Sequence, residues 1–320
     1  MLKRMSIRKI MVATLSLVAL FLIYLMPGNQ IRDYSIENES IEYVYTNVLE
    51  TVYLMDSNGY VARTSISGSN SSVVDIARDV VSALIIDGER SDIIPNGFRA
   101  LIPSGTEILE VSLKEDVLTV DLSNDILSIN ALYEEKMIES IIYSLTSIKG
   151  VNKIVLKVEG NVLERLPNSG KSLPDILDRG YGINKDYNLV NMSNIDSYTV
   201  YYVSKNEDDS YYVPITKYVN SKGEDKIKVI IEELSTSPIY EANLMSFLNS
   251  DVSLINYNLD DDILSLNFSD AIFIDQDNSQ ILEEVIYTIG LSFQDSYEVS
   301  DVSLLVENKE IYENLLKMLE

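Results

Sequence analysis

The chain repeats itself at long range, and this feature constrains its architecture more than any other. Thr51-Val52-Tyr53 recurs as Thr199-Val200-Tyr201 at an offset of 148 residues. Val117-Leu118-Thr119-Val120-Asp121-Leu122-Ser123 recurs as Ile263-Leu264-Ser265-Leu266-Asn267-Phe268-Ser269 at 146, and Ile142-Tyr143-Ser144-Leu145 as Ile286-Tyr287-Thr288-Ile289 at 144. Such a period is far too long for a solenoid unit. The sequence therefore predicts two tandem domains, 47–166 and 196–320, each a folding unit of its own. The intervening 167–195 opens on Pro167-Asn168-Ser169-Gly170-Lys171-Ser172, rich in turn formers, and reads as a short structured linker.

Periodicity assigns the elements of each copy. In the first, Val52–Met55 and Tyr60–Ile66 flank the turn Asp56-Ser57-Asn58-Gly59 and read as a strand pair. Val73, Ile76, Ala77, Val80, Val81 and Leu84 stand at helical spacing. A second hairpin, Ile108–Leu113 and Val117–Leu122, puts Leu118, Val120 and Leu122 on a buried face and Thr119, Asp121 and Ser123 on a wet one. A helix with the stripe Tyr133, Met137, Ile141, Leu145 and Ile148 and a strand Ile154–Val158 complete the unit. The second copy repeats the order: Tyr198–Val203, Tyr211–Tyr218, a helix on Ile227, Ile230, Ile231 and Leu234, the hairpin Val252–Phe268, a helix on Ile281, Val285, Ile289 and Phe293, then Val302–Val306. The expected class is α+β, each repeat a mixed sheet with two helices packed on one face.

The amino terminus has a different character. Lys3, Arg4, Arg8 and Lys9 precede the uncharged, almost wholly apolar run Ile10–Met26. As a helix this run is about 25 Å long, close to a bilayer core, with flanking bases able to snorkel. No small-x-small cleavage signal follows, and with no Cys in the chain there is no lipobox. Residues 1–30 are therefore expected to be an uncleaved single-pass transmembrane anchor, with a cleaved signal peptide as the alternative, and 31–46 a juxtamembrane linker. The basic flank places the amino terminus in the cytoplasm and the domains outside the cell membrane.

All 50 acids and 21 of the 25 Lys and Arg lie beyond Gln30, a formal charge of −29. That charge opposes binding to nucleic acid or anionic lipid surfaces and favours a basic or cation-bridged partner. With no His and no Cys, the chain has no Ser-His-Asp triad, Cys nucleophile, zinc-finger site, disulfide framework or haem on its usual ligands.

In its segments Leu101-Ile102-Pro103-Ser104-Gly105-Thr106-Glu107-Ile108-Leu109, Val117–Ser123 and Ile141-Ile142-Tyr143-Ser144-Leu145-Thr146 the first copy resembles the GerMN domain family of bacterial spore-formation and germination proteins. In the second copy Phe247-Leu248-Asn249-Ser250 stands where Pro103–Thr106 is expected to recur, which marks that copy as divergent. The resemblance implies a non-enzymatic envelope protein of sporulation, related in fold to ring-building modules of the mother-cell to forespore channel complex, and it carries over no catalytic, cofactor-binding or metal residue. Other envelope proteins, that complex and peptidoglycan are the partners expected.

Five local patterns compete with bland readings. Gly170-Lys171-Ser172 looks like the end of a phosphate loop, yet Arg165 stands where the first Gly is required, so it reads as linker. Asp275, Asp277 and Ser279 have the opening spacing of an EF-hand, but Gln280 and Ile286 replace its Gly and Glu, leaving a helix cap. Asp260-Asp261-Asp262 aligns with Lys114-Glu115-Asp116 and reads as a hairpin turn rather than a cation site. Tyr201, Tyr202, Tyr211 and Tyr212 read as cross-strand packing, with a sugar-stacking surface as the functional alternative. The sequon Asn70-Ser71-Ser72 carries no weight in a bacterial setting. A wall-glycan module is the alternative function, and a glycosidase would require two carboxylates about 5–10 Å apart in a cleft.

Overall fold

The computed structural model describes Met11, Leu15 and Leu17 and residues 48–319, apart from 70, 207–208, 221–222, 237–242, 276 and 298. Two compact units divide the chain, Met1–Thr46 and Asn47–Glu320. In the first unit only those three residues are described, all helical and exposed, so the expected anchor and juxtamembrane segment lie largely outside the described residues. Among the described residues no helix is long and apolar enough to cross a membrane.

The second unit holds both repeats. The first contains β1 (Leu49–Asp56), β2 (Val61–Ser67), helix α1 (Val73–Leu84), β3 (Phe98–Arg99), β4 (Ile108–Lys114), β5 (Val117–Leu122), α2 (Glu134–Leu145), β6 (Lys153–Val158) and β7 (Asn161–Val162). The linker adds β8 (Asp186–Asn188). The second repeat contains β9 (Ile195–Asn206), β10 (Asp209–Asn220), α3 (Lys226–Leu234), β11 (Leu254–Asp260), β12 (Ile263–Phe268), α4 (Glu283–Tyr297), β13 (Asp301–Val306), β14 (Lys309–Tyr312) and α5 (Leu315–Leu319). Local chemistry accounts for the boundaries. Ser72 caps α1 by accepting from the Asp75 N–H, and Asp225 caps α3 by accepting from that of Ile227. The α3 stripe Ile227, Ile230, Ile231 and Leu234 is wholly buried, each side chain contributing about 1.5–3 kcal/mol.

Each repeat builds a four-stranded mixed sheet, β4-β5-β6-β7 in the first and β11-β12-β13-β14 in the second, with the parallel pairs β5–β6 and β12–β13. Leu118, Val120 and Leu122, like Leu264, Leu266 and Phe268, are buried as the alternation requires. The opposite face is drier than expected. Asp121 accepts from the Gly160 N–H, and Asn267 from that of Asn308, so the turn after β6 or β13 folds over it.

The expectation of one sheet per repeat is corrected here. The first hairpin of each repeat packs on its own repeat's second helix and joins its counterpart in a shared sheet ordered β3-β1-β2-β10-β9, with β8 beside the far half of β10. In that sheet Arg63 of β2 pairs with Tyr212 of β10. Tyr212 stands opposite Val203 as Val61 stands opposite Met55, so β2 and β10 correspond at 151, and the two hairpins meet antiparallel about a local two-fold axis. The copies therefore share one sheet in addition to the four-stranded sheet each builds. A four-stranded sheet covers one side of its helices only, and the hairpin gives α2 and α4 a second apolar surface.

Two sequence alignments also shift. Ser144 and Ser292 make the same contact, described below, so the helices correspond at 148 and not at 144. A helical stripe superposes on itself when slid by four residues, which is how the false match arose. Similarly, Thr106 N–H donates to Pro103 O as Val252 N–H does to Asn249 O, so Asn249–Val252 is the counterpart of the Pro103–Thr106 turn, two residues beyond the expected segment. Gly105 sits at φ +85° in the first turn; the second keeps the turn by an Asx bond from the Asp251 N–H to Asn249 Oδ1.

Candidate functional site

The outermost long strands of the shared sheet are β1 and β9, and helix serines satisfy part of their outer edges. Tyr53 N–H donates to Ser144 Oγ at 2.8 Å, and Ser140 Oγ donates to the Tyr53 carbonyl at 2.5 Å. In the second repeat Tyr201 N–H donates to Ser292 Oγ at 2.9 Å, and Ser296 Oγ both accepts from and donates to the Thr199 backbone. Further along, Met55 pairs with Arg99 of β3 and its counterpart Val203 with Met245. Both edges are thus closed to strand addition over these residues.

The seam between repeats is polar and buried. Tyr53 and Tyr201, counterparts in the two copies, bond hydroxyl to hydroxyl at 2.9 Å. Tyr201 donates onward to Asp295 Oδ2 at 2.6 Å, and Asp295 is ion-paired with Arg179 of the linker. Arg179 also donates to Thr146 Oγ1 and Ser147 Oγ, and its guanidinium lies 5.0 Å from the centre of the Tyr143 ring. Burial opposes its charge, but the neighbouring Asp295 carboxylate and the tyrosines outweigh this and hold Arg179 protonated well above its ordinary range. Burial pushes the Tyr143 and Tyr201 hydroxyls well up, with Asp295 adding to the effect.

A second cluster wedges the linker between β2 and β10. Asn184, at φ +45°, accepts from the Val61 N–H and donates to the carbonyls of Val61 and Pro214. Its own N–H meets Glu139, which pairs with Lys185 at 3.2 Å. Burial raises the Glu139 carboxyl and lowers the Lys185 ammonium, partly offset by their mutual attraction. At the far end of the seam Tyr211 donates to Asp56 at 2.9 Å.

Two shallow clefts flank Phe98, with volumes of about 570 and 480 Å³. Each is lined by one carboxylate, Asp56 in the first and Asp209 in the second, so neither has the paired acids of a glycosidase. The carboxyl of Asp56 is already engaged by Tyr211 and the Tyr60 N–H.

Tyr201, Tyr202 and Tyr211 are buried, Tyr202 donating to Glu233, while Tyr212 stacks on Tyr287 with centroids 5.1 Å apart. They form no open sugar platform. Lys171 pairs with Glu135 at 2.6 Å, and Ser172 bridges to Arg165, closing a turn rather than a phosphate loop. Asp275 accepts from the N–H and side chain of Asn278 and pairs with Gln280, so it stabilises a turn ahead of α4 instead of capping that helix. Asp261 and Glu115 hold the same left-handed turn position, at φ +53° and +57°. Asn70 lies outside the described residues. Among the described residues no three acidic side chains converge as a metal site. Sequence reading missed Arg179, Asn184, Lys185 and Asp295. The one available signal was three basic residues, Lys171, Arg179 and Lys185, inside an otherwise turn-like linker.

Comparison with known proteins fits this architecture. The family model described as "Germane: Sporulation and spore germination" matches residues 51–164 and again 199–312. The spore germination protein GerM of Bacillus subtilis (strain 168) is 32% identical over 269 residues, 82% of this chain and 73% of that protein. The solved tandem GerMN domains of the Bacillus subtilis sporulation protein GerM superpose with a TM-score of 0.74 at 32% identity, covering 82% of this chain and 92% of that one. The isolated first GerMN domain of the same protein is 30% identical, covers 42% of this chain and 98% of that one, and has a TM-score of 0.39. With both repeats matched and the tandem arrangement shared, the chain belongs to the Germane family of sporulation and spore-germination proteins.

Proposed function

We propose that this protein is a non-enzymatic, membrane-anchored component of the extracytoplasmic envelope, acting as a scaffold or assembly factor in sporulation or germination. The observation that carries the reading is the likeness to GerM across both repeats, at 32% identity over 82% of the chain. The site geometry supports it. Buried tyrosines and acids are spent on joining the repeats, and neither cleft is lined by paired acids. The basic amino-terminal flank and the apolar run after it support a single-pass anchor with the domains outside. Its partners are other envelope proteins, among them the mother-cell to forespore channel complex, with peptidoglycan as a further contact.

The test is a fluorescent fusion at the carboxyl end, imaged through growth and sporulation beside a deletion strain scored for heat-resistant spores. Enrichment around the forespore with loss of spores is the expected result. Uniform signal in growing cells together with normal spore yield would overturn the assignment.

A further inference from the structure

The two repeats differ where β4 and β11 form the outer edges of the four-stranded sheets. In the first repeat α1, 12 residues long, lies over β4 and buries Val111 to 7% exposure. Its counterpart in the second repeat, α3, has 9 residues and meets β11 at its cap, where Tyr257 donates to Asp225. Tyr257, the counterpart of Val111, is 38% exposed, and Ile255 and Leu259 are 45% and 44% exposed. Tyr257 and Leu259 alternate along the strand, and Ile255, at a bulge in the pairing with β12, extends the exposed apolar surface.

The backbone beneath them is also open. Asp260 and Ile263 close the hairpin, so the hydrogen-bonded pairs with β12 fall at 260, 258 and 256. The N–H and C=O groups of Tyr257 and Leu259 therefore point away from the sheet. A strand edge with unpaired backbone and alternating exposed apolar side chains is the geometry onto which an extended segment adds.

Charge selects the occupant. From Val229 to Asn308 the chain carries 16 Asp and Glu and no Lys or Arg, and Asp251 and Asp260-Asp261-Asp262 bracket β11. Two copies joined edge to edge would bring these acids together without a counter-charge. We infer that β11 is a docking edge for an extended basic segment of another protein, one that alternates Lys or Arg with aliphatic residues. The inference rests on the assembly-factor reading and specifies which face of the molecule assembles.

The test uses the full chain in detergent micelles with a synthetic peptide of about ten residues, the span of a long strand, alternating Lys and Val. A Glu-Val peptide serves as control. Hydrogen exchange should slow at the Tyr257 and Leu259 amides when the Lys-Val peptide is added, and added salt should weaken the effect. Leu259→Pro removes one outward donor while sparing the ladder to β12, and should weaken binding at least about tenfold. Ile255→Asn/Leu259→Asn reduces the exposed apolar surface and leaves the backbone intact; with an unchanged unfolding midpoint it should weaken binding comparably. Equal binding of the Glu-Val peptide, protection elsewhere but not at β11, or protection that rises with protein concentration in the absence of peptide would each overturn the inference. The spore assay reads separately. Loss of spores with an inert β11 would remove this inference alone, whereas normal spores with a binding-competent β11 would remove the assembly role.

Discussion

Replacing Arg179 with Met should destabilise both repeats together. The guanidinium pairs with Asp295, whose side chain is 1% exposed, and donates to Thr146 at 3.0 Å and Ser147 at 2.8 Å. Removing one member of a buried ion pair costs about 3–5 kcal/mol, because the remaining charge is left in a poor solvent. Two features point to the lower end of that range. The Arg179 side chain is itself 23% exposed, and Asp295 keeps the hydroxyl of Tyr201 at 2.6 Å. Methionine also retains packing against the Tyr53 and Tyr143 rings. We therefore expect a loss of about 3 kcal/mol, or a fall in melting temperature of about 6–12 °C for a domain of this size. Urea and thermal unfolding followed by far-ultraviolet and tyrosine circular dichroism should show a single transition before and after the substitution. Arg179→Met/Asp295→Leu should recover part of the loss, since an apolar pair leaves no orphaned charge. A change below about 1 kcal/mol, within the range of an exposed pair, or two wild-type transitions of which one moves, would refute the view that this cluster binds the repeats into one cooperative unit.

Ser144→Ala and Ser292→Ala each strip the partner from a buried strand-edge N–H and should each cost about 1–3 kcal/mol in urea titrations, with similar values because the contact recurs in both copies. Alkaline pH should unfold the protein. Burial raises the hydroxyls of Tyr143, Tyr201 and Tyr202, and that of Tyr297 to about 12, so their contribution is fully present below the unfolded value near 10 and drains as pH climbs through the raised folded values. Tyrosine absorbance at high pH should therefore rise together with loss of circular dichroism; a smooth rise that leaves the fold intact would contradict this.

Local order was legible in the sequence where residues report on their immediate neighbours. The stripe Val73, Ile76, Ala77, Val80, Val81 and Leu84 delimits α1, and the alternation at Val117–Leu122 delimits β5 with its buried face. Long-range assembly was not. The shared sheet hangs on the pairing of Arg63 with Tyr212, strands whose hydrophobic patterns would suit a hairpin that met only its own repeat equally well. Arg179 and Asn184 are single polar residues in a stretch of turn formers, and neither periodicity nor spacing distinguishes a linker side chain that enters a seam from one that faces water. The exposed apolar surface on β11 was equally hidden. Ile255, Tyr257 and Leu259 have the pattern of a buried strand face, yet among the described residues α3 meets them only at its cap.

The contact of Tyr53 with its own counterpart has an evolutionary corollary. A self-complementary interface of this kind is what a homodimer uses, where any mutation appears on both sides of the axis at once. Fusing the two halves into one chain keeps them paired at any dilution and releases that constraint. One half can then change while the other stays fixed. The two copies differ in the chemistry of the Pro103–Thr106 turn and in the length of the helix over the outer strand. The halves thus hold each other in shape while the second presents the more open flank.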